Sequence, residues 1–190
     1  MSDETPVLAC AGGVARKVET DPKGGPATYG PAVEIPAALS IEVEFEAEKK
    51  ELKDGRGRLR HAQASAPTGT ATVAFKMFSA ELDVLFFGST LVTDVNGDVT
   101  VKRTPNDRPN YIELELVSAE LDGTASNTGI RLAKVKATKP AGLGLAEDDY
   151  KDFEVEVDLF ELDADGSWVD ATTYADAKTV EALLAGTSGV

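Results

Sequence analysis

The chain has little of what most catalytic sites are built from. Its 190 residues include one cysteine, Cys10, and one histidine, His61. A single cysteine forms no internal disulfide, which fits assembly in a reducing compartment. A zinc site would have to rely on carboxylates, and a histidine-based triad has one candidate base. We therefore expect no enzyme: no catalytic residues, no metal site and no cofactor.

Long apolar runs, positive charge and aromatic residues are also scarce. Uncharged apolar stretches such as residues 84–88 are far shorter than the ~20 residues that span a bilayer. The first residues lack the positive start and apolar core of a secretory signal, so we expect no export signal and no membrane anchor. Lys and Arg number 19 against 33 Asp and Glu, a formal charge of −14. This surplus of acidic residues argues against sequence-specific DNA binding, which needs clustered Lys and Arg side chains to contact the phosphates.

What the chain does have is apolar–acidic alternation with a period of two. It runs through residues 39–48, 112–116 and 152–159, and strict alternation predicts strands with one buried and one solvated face. Further strands are expected at 7–18, 70–77, 91–94, 99–103 and 130–136. Hydrophobic residues make up 42% of the chain, enough for a core. The sequence therefore predicts a mainly β fold, with residues 1–190 as a single domain.

Two helices are predicted beside these strands. Ser79 can cap a helix over 80–87, and Gly88 can end it. Residues 174–185 predict a short C-terminal helix before a flexible tail, 186–190. The first helix would flank the β structure.

Turn signals predict two hairpins and one long connection. Asn96-Gly97 lies between two β-rich runs, and the turn residues 163–166 separate 155–162 from 167–170. Residues 49–69 form a long strand-connecting loop, and loops of such length are usually functional or disordered.

Carboxylates suggest two alternatives that the residues support poorly. Asp94, Asn96 and Asp98 are spaced like the first calcium ligands of an EF-hand, but the glycine comes too early and no glutamate follows at the twelfth place. The hairpin turn explains the same residues. Carboxylate pairs suitable for a glycosidase are abundant, yet nothing distinguishes any two of them.

The charges are unevenly distributed along the chain. Residues 147–190 hold thirteen acids and two bases, a net charge of −11, whereas residues 49–60 hold six bases and two acids, a net charge of +4. Such a basic segment is either a solvated loop or a contact for an acidic surface. Its bases are Lys49, Lys50, Lys53, Arg56, Arg58 and Arg60.

The acidic strand faces are the most informative feature. Glu42, Glu44, Glu46 and Glu48 would share one face of a strand. An acidic β protein can simply solvate such a face. Alternatively, the face repels a polyanion, which suits a channel that conducts DNA because basic walls would bind the phosphates at every step.

The layout resembles the major tail protein, or tail tube protein, of long-tailed (siphovirus-type) bacteriophages. The order and spacing of elements over most of the chain carry the resemblance rather than any tight motif. The matching elements are a short strand at 11–18, a Gly/Pro loop, the acidic strand 41–48, the long loop, the strand 70–75, the helix within 78–88 with its hairpin, and the Asp-rich strand 153–162 that leads into 165–168.

This resemblance implies a fold and a role. The fold would be a tail-tube-type β-sandwich or barrel, and the subunits would form hexameric rings that stack into a tube. Glu42, Glu44, Glu46 and Glu48 on the strand 41–48, paired with 70–76, would line an acidic lumen, although the acidic strand 152–158 is an alternative. The basic residues of the loop 49–69 would contact the adjacent ring.

The implied setting is the virion, with assembly in the host cytoplasm. Partners would be other copies of the chain, the tape-measure protein, and the tail tip and tail terminator proteins, while DNA would be only a passing cargo. Two rival classes stay open: a carbohydrate- or cell-surface-binding β-sandwich module, and a head–tail completion or decoration protein.

Overall fold

The computed structural model describes residues 8–36, 38–46, 49–53, 59–64, 68–75, 79–118, 127–138, 153–176 and 178–185. These residues are mainly β, as the alternation predicts, with antiparallel sheets and two helices. The strands are β1 (Leu8–Thr20), β2 (Thr28–Tyr29), β3 (Val33–Pro36), β4 (Ala38–Glu46), β5 (Lys49–Lys53), β6 (Leu59–Ala64), β7 (Thr68–Phe75), β8 (Thr90–Thr93), β9 (Val99–Lys102), β10 (Ile112–Ser118), β11 (Asn127–Ala137), β12 (Phe153–Leu159) and β13 (Val169–Tyr174). The helices are α1 (Ala80–Phe87) and α2 (Val180–Ala185).

Six strands close into an antiparallel barrel. Their order is β10-β1-β4-β7-β12-β11, and β11 pairs again with β10. The short strands β2 and β3 add to β1, and β13 adds to β11. Closure satisfies strand edges that would otherwise be exposed for pairing with other chains.

The barrel interior holds the apolar half of each alternating strand. On β7 and β12, Val73, Phe75, Val155 and Val157 have no exposed side-chain surface, while the residues between them face outward. Full burial of such a side chain stabilises the fold by roughly 1.5–3 kcal/mol. The predicted pairing of 41–48 with 70–76 is confirmed by the register of β4 and β7.

The predicted flanking helix is confirmed with its predicted bounds. Ser79 Oγ accepts a hydrogen bond from the Leu82 amide at 3.1 Å, and Gly88 ends α1 with φ 70°. A Cβ on Gly88 would lie 2.3 Å from the Arg108 carbonyl oxygen, so glycine is needed there for space as well as conformation. Phe86 packs edge-to-face on Phe75 with ring centroids 5.9 Å apart, which joins α1 to the barrel core.

The C-terminal helix is shorter than predicted. It begins at Val180 rather than at residue 174, because β13 continues to Tyr174 and pairs with β11 down to Asn127. The predicted tail 186–190 lies outside the described residues.

The predicted hairpin around residues 163–166 is wrong. The segment does form a tight turn, in which the Leu162 amide donates to the Ser167 carbonyl at 2.9 Å. However, β12 and β13 pair along the same edge of β11 instead of with each other. A strand that carries a local excursion in its middle gives the same turn residues as a hairpin.

The segment predicted as a long loop, 49–69, contains regular structure. Strands β5 and β6 pair antiparallel, with Lys50 opposite Gln63, and β7 already begins at Thr68. The sequence analysis missed β5 and β6 because these polar, charged strands have no clear apolar alternation. The connection between β4 and β7 is therefore a two-stranded hairpin.

Candidate functional site

The two acidic strands lie on one outer face of the barrel, separated by a single strand. β7 pairs with β4 on one side and with β12 on the other. Thr72 lies between Glu42 and Glu156, and Thr70 lies between Glu44 and Asp158. The two acidic strands therefore belong to one surface, formed by β4, β7 and β12, which we call the acidic face. Its outward residues are Glu42, Glu44, Glu46, Thr68, Thr70, Thr72, Glu154, Glu156 and Asp158.

The threonines keep the acid rows from being direct neighbours. Adjacent strands lie about 4.8 Å apart, so the acids of β4 and β12 are separated by roughly 10 Å across β7. Like charges directly opposite one another would destabilise the sheet, and this spacing avoids that arrangement. The separation exceeds the Debye length of about 8 Å at physiological salt, so the two rows repel each other only weakly, while both present negative charge to a ligand that approaches this face.

The glutamates of β4 are solvated and lie on the outer side of the strand. Glu42, Glu44 and Glu46 are exposed, and among the described residues they make no ion pair. Glu48, the fourth predicted lumen residue, lies outside the described residues. Three of the four predicted carboxylates therefore share an outer face, as the alternation requires.

The acidic face ends at β11, where lysines begin. Lys136 is opposite Asp158 in the backbone register, and its ammonium lies 4.9 Å from the centre of the Tyr111 ring. Lys134 pairs with Asp21, which also accepts from the amides of residues 163 and 164. Burial alone would raise the pKa of Asp21, but these hydrogen bonds and the lysine charge lower it overall.

Another side of the barrel carries a partly buried network of balanced charges that the sequence analysis did not predict. Arg16 on β1 contacts Glu113 on β10 at 3.0 Å, and Arg131 on β11 contacts the other oxygen of Glu113 at 2.7 Å. Arg131 also reaches Asp170 at 3.0 Å. Burial alone would lower the pKa of Arg131, but its hydrogen bond to Glu113 and the charge of that carboxylate raise it. These residues are far apart in sequence, so only the strand order brings them together.

Helix α2 covers this network. Arg16 donates from its second terminal nitrogen to the Leu183 carbonyl oxygen at 2.8 Å. Beside it, Leu183 packs with Val14 and Val117 in a small apolar cluster separate from the main core. A guanidinium that binds a carbonyl in the last turn of a helix also complements the helix dipole.

The predicted inter-ring residues fall on the β5–β6 hairpin. Lys49, Lys50 and Lys53 belong to β5, and Arg60 belongs to β6. Arg56 and Arg58 lie outside the described residues. The hairpin leaves the barrel at the carboxyl end of β4 and returns at the amino end of β7, so the basic segment is attached to two strands of the acidic face.

The calcium alternative is explained by the loop itself. The Asp94 carboxylate accepts hydrogen bonds from the Asn96 amide at 2.8 Å and the Asp98 amide at 2.9 Å. These bonds lower the pKa of Asp94 and close the turn between β8 and β9. Within the described part of the chain, no group of three or more His, Cys, Asp and Glu side chains is arranged to hold a metal ion. His61 lies on β6 and Cys10 on β1.

Comparison with protein-family models and with curated proteins finds no match to this chain. No helix among the described residues is long and apolar enough to cross a bilayer.

Proposed function

We propose that this protein is the structural subunit of a phage tail tube, without catalytic activity. Copies would form rings, with six subunits as in the tube proteins that the sequence resembles, and the rings would stack into a hollow tube in the virion. The acidic face would line the lumen, and DNA would pass along it during ejection. The tape-measure, tail tip and tail terminator proteins would be its partners.

The observation that carries the proposal is the acidic face. Double-stranded DNA carries one negative charge per ~1.7 Å of its axis, and cationic side chains hold it through its phosphates. A wall of Glu42, Glu44 and Glu46 beside threonines offers no such cation. Repulsion from all sides would keep the duplex near the axis of the channel, so that it can slide without pausing.

The remaining edges of the fold suit a repeating assembly. Among the described strands, β13 and the β5–β6 and β8–β9 hairpins each leave an edge without a partner. Such edges are an aggregation hazard in a monomer but can join subunits in a ring. The formal charge of −14 would keep free subunits apart until assembly is nucleated.

A carbohydrate- or cell-surface-binding module is the second candidate, favoured by one observation. Phe45 is 54% exposed at the end of β4 and contacts Trp168 with ring centroids 5.3 Å apart. The rings meet edge-to-face at 63° rather than in one plane. They therefore make a narrow ridge, whereas sugars usually stack on a flat aromatic surface.

Imaging and mass measurement together test the proposal. Purified protein at rising concentration should give rings or hollow tubes with a stain-filled channel in negative-stain images, and masses at multiples of the ring mass. Addition of tail-tip proteins should lower the concentration at which tubes appear. A protein that stays monomeric even with the tip proteins would contradict the proposal and favour the binding module.

A further inference from the structure

The β8–β9 hairpin projects from α1 as a two-stranded sheet that pairs with no other described strand. Several of its apolar side chains are exposed to solvent: Leu91 and Val92 are each 37% exposed, Val99 is 56% exposed and Val95 at the tip is fully exposed. An isolated two-stranded hairpin is marginally stable at best in water. Solvent-exposed apolar residues on such a hairpin indicate a contact surface.

Hydrogen bonds to α1 hold the base of the hairpin in place. Asp83 of α1 is 2% exposed. It accepts a hydrogen bond from Ser89, which precedes β8, at 2.6 Å. It also accepts hydrogen bonds from Arg103, which follows β9. The Arg103 guanidinium also lies 4.9 Å from the centre of the Phe87 ring. With the tip closed by Asp94, the hairpin is preorganised, so docking would order few additional groups.

One face of the hairpin is mainly apolar, and its tip is acidic. The register pairs Leu91 with Val101 and Thr93 with Val99, which places these four side chains on one face. Thr90, Val92, Thr100 and Lys102 share the other face. At the tip, Val95 is flanked by Asp94 and Asp98, and no base occurs from residue 90 to residue 101.

The chain carries a segment of complementary chemistry in the β5–β6 hairpin. Its two strands include four bases and one acid, together with Leu52 and Leu59. They also pair with no other described strand. The apolar and acidic β8–β9 hairpin is therefore complementary in charge to the β5–β6 hairpin, which combines basic and apolar residues.

The two hairpins are attached at opposite ends of the same barrel strands. β5–β6 joins the carboxyl end of β4 to the amino end of β7, whereas α1 and then β8–β9 follow the carboxyl end of β7. Phe75, the last residue of β7, contacts Phe86 of α1. The eight residues of β7 span roughly 25 Å, which separates the two attachment points within one copy.

We propose that the β8–β9 hairpin of one copy docks on the β5–β6 hairpin of a second copy in the next ring. Val95, Val99 and Leu91 supply the apolar contact, and Asp98 faces the bases. The contact joins two different surfaces, so it repeats head-to-tail and produces an open stack rather than a closed pair. The inference rests on the proposed tube for its setting, but not for its chemistry.

A matched pair of variants tests the apolar contact. Val99→Asp places a charge on the docking face, and Thr100→Asp places the same charge on the opposite face of the same strand. Val99→Asp should raise the concentration needed for stacking at least tenfold in sedimentation velocity, with an unchanged unfolding midpoint, and Thr100→Asp should not. Equal stacking of the two variants, with normal tubes, would overturn the docking while leaving the tube intact.

A photo-crosslinker at position 95 identifies the partner surface. Val95 is fully exposed, so a benzoylphenylalanine there leaves the fold unchanged. Mixed with isotope-labelled wild-type chains and illuminated, it should form adducts with residues 49–64 of the labelled copy. Adducts confined to other segments would overturn the proposal, as would a wild-type protein that never self-associates. Adducts at 49–64 in solid fibres without a channel would support the docking and contradict the tube.

Discussion

Glu42 on β4 and Glu156 on β12 lie in the same row of the sheet, with Thr72 of β7 between them. Strands from opposite ends of the sequence thus contribute to one negative surface, and the strand between them supplies hydroxyls instead of charge. The arrangement gives a high charge density without direct contacts between carboxylates. It is also the feature on which the proposed passage of DNA depends.

The acidic face should prevent DNA binding. We expect the triple variant Glu42→Lys, Glu44→Lys and Glu46→Lys to assemble into tubes that retain double-stranded DNA at about 50 mM salt and release it at higher salt, because each lysine can bind a phosphate. Wild-type tubes should retain none under the same conditions. Co-sedimentation of labelled DNA with the tubes measures this.

The matched control for that variant reverses three exposed glutamates outside the acidic face: Glu19, Glu34 and Glu161. The change in net charge is the same. Equal DNA retention by the two triple variants would show that net charge, and not the acidic face, governs binding.

The threonine spacing should matter for stability. Thr72→Glu puts a carboxylate directly between Glu42 and Glu156, and each like-charge pair across strands costs about 0.2–1 kcal/mol. The free energy of unfolding should therefore fall by roughly 0.5–2 kcal/mol at 0.01 M salt and recover at 1 M salt, where the Debye length is about 3 Å. Thr72→Gln, which matches the size without the charge, should show no salt-dependent loss in urea unfolding.

Arg16 should stabilise both the barrel and α2. Arg16→Met removes one partner of the buried Glu113 and the hydrogen bond to the Leu183 carbonyl. Leaving a buried charge without any partner costs about 3–5 kcal/mol, and because Arg131 still binds Glu113 the loss should be roughly 1–3 kcal/mol. Urea unfolding should show this loss, and hydrogen exchange of residues 180–185 should speed up. The exposed neighbour Lys17→Met is the control, and a loss below about 1 kcal/mol in Arg16→Met would contradict the described network.

Asp21 should contribute to stability in a defined pH range. Its folded-state pKa is lowered below 3.8, so unfolding binds a proton as the pH approaches that value. The contribution is fully present well above pH 3.8 and is lost as the pH falls through the lower folded-state pKa. Asp21→Asn should therefore be less stable than the wild type at pH 6, and the difference should shrink towards pH 2. A constant difference in urea unfolding across this range would exclude an ionised Asp21 contact.

The basic segment should control stacking. Reversing Arg56, Arg58 and Arg60 to Glu makes the net charge of the segment 49–60 negative on an already acidic subunit, so rings should form but stack poorly. Far-UV circular dichroism should show an unchanged fold. Tubes of normal length from this variant, measured by negative-stain imaging, would contradict the inter-ring role.

Local signals in the sequence predict the elements that local chemistry determines. Ser79 and Gly88 predict α1 with its correct bounds, because capping is settled within a few residues. Alternation likewise predicts β4 and β12. In contrast, β13 contains two Thr and one Asp without apolar alternation, and β3 lies beside a Gly/Pro segment. Their pairing with β11 and β1 therefore depends on contacts far away in sequence.

The same limit applies to the candidate site. Alternation predicts that Glu42, Glu44 and Glu46 face away from the core, and they do. That the acids of β12 share their surface follows only from the position of β7 between the two strands. The Arg16–Glu113 pair, ninety-seven residues apart, and the accessibility of the β8–β9 hairpin also depend on strand order and have no local signal.

A cryo-EM reconstruction of the assembled protein would show directly which strands border the channel. We expect a hollow tube lined by β4, β7 and β12, with Glu42, Glu44 and Glu46 directed into it. A tube with these residues on its outer surface, or an assembly without a channel, would contradict the proposed role of the acidic face.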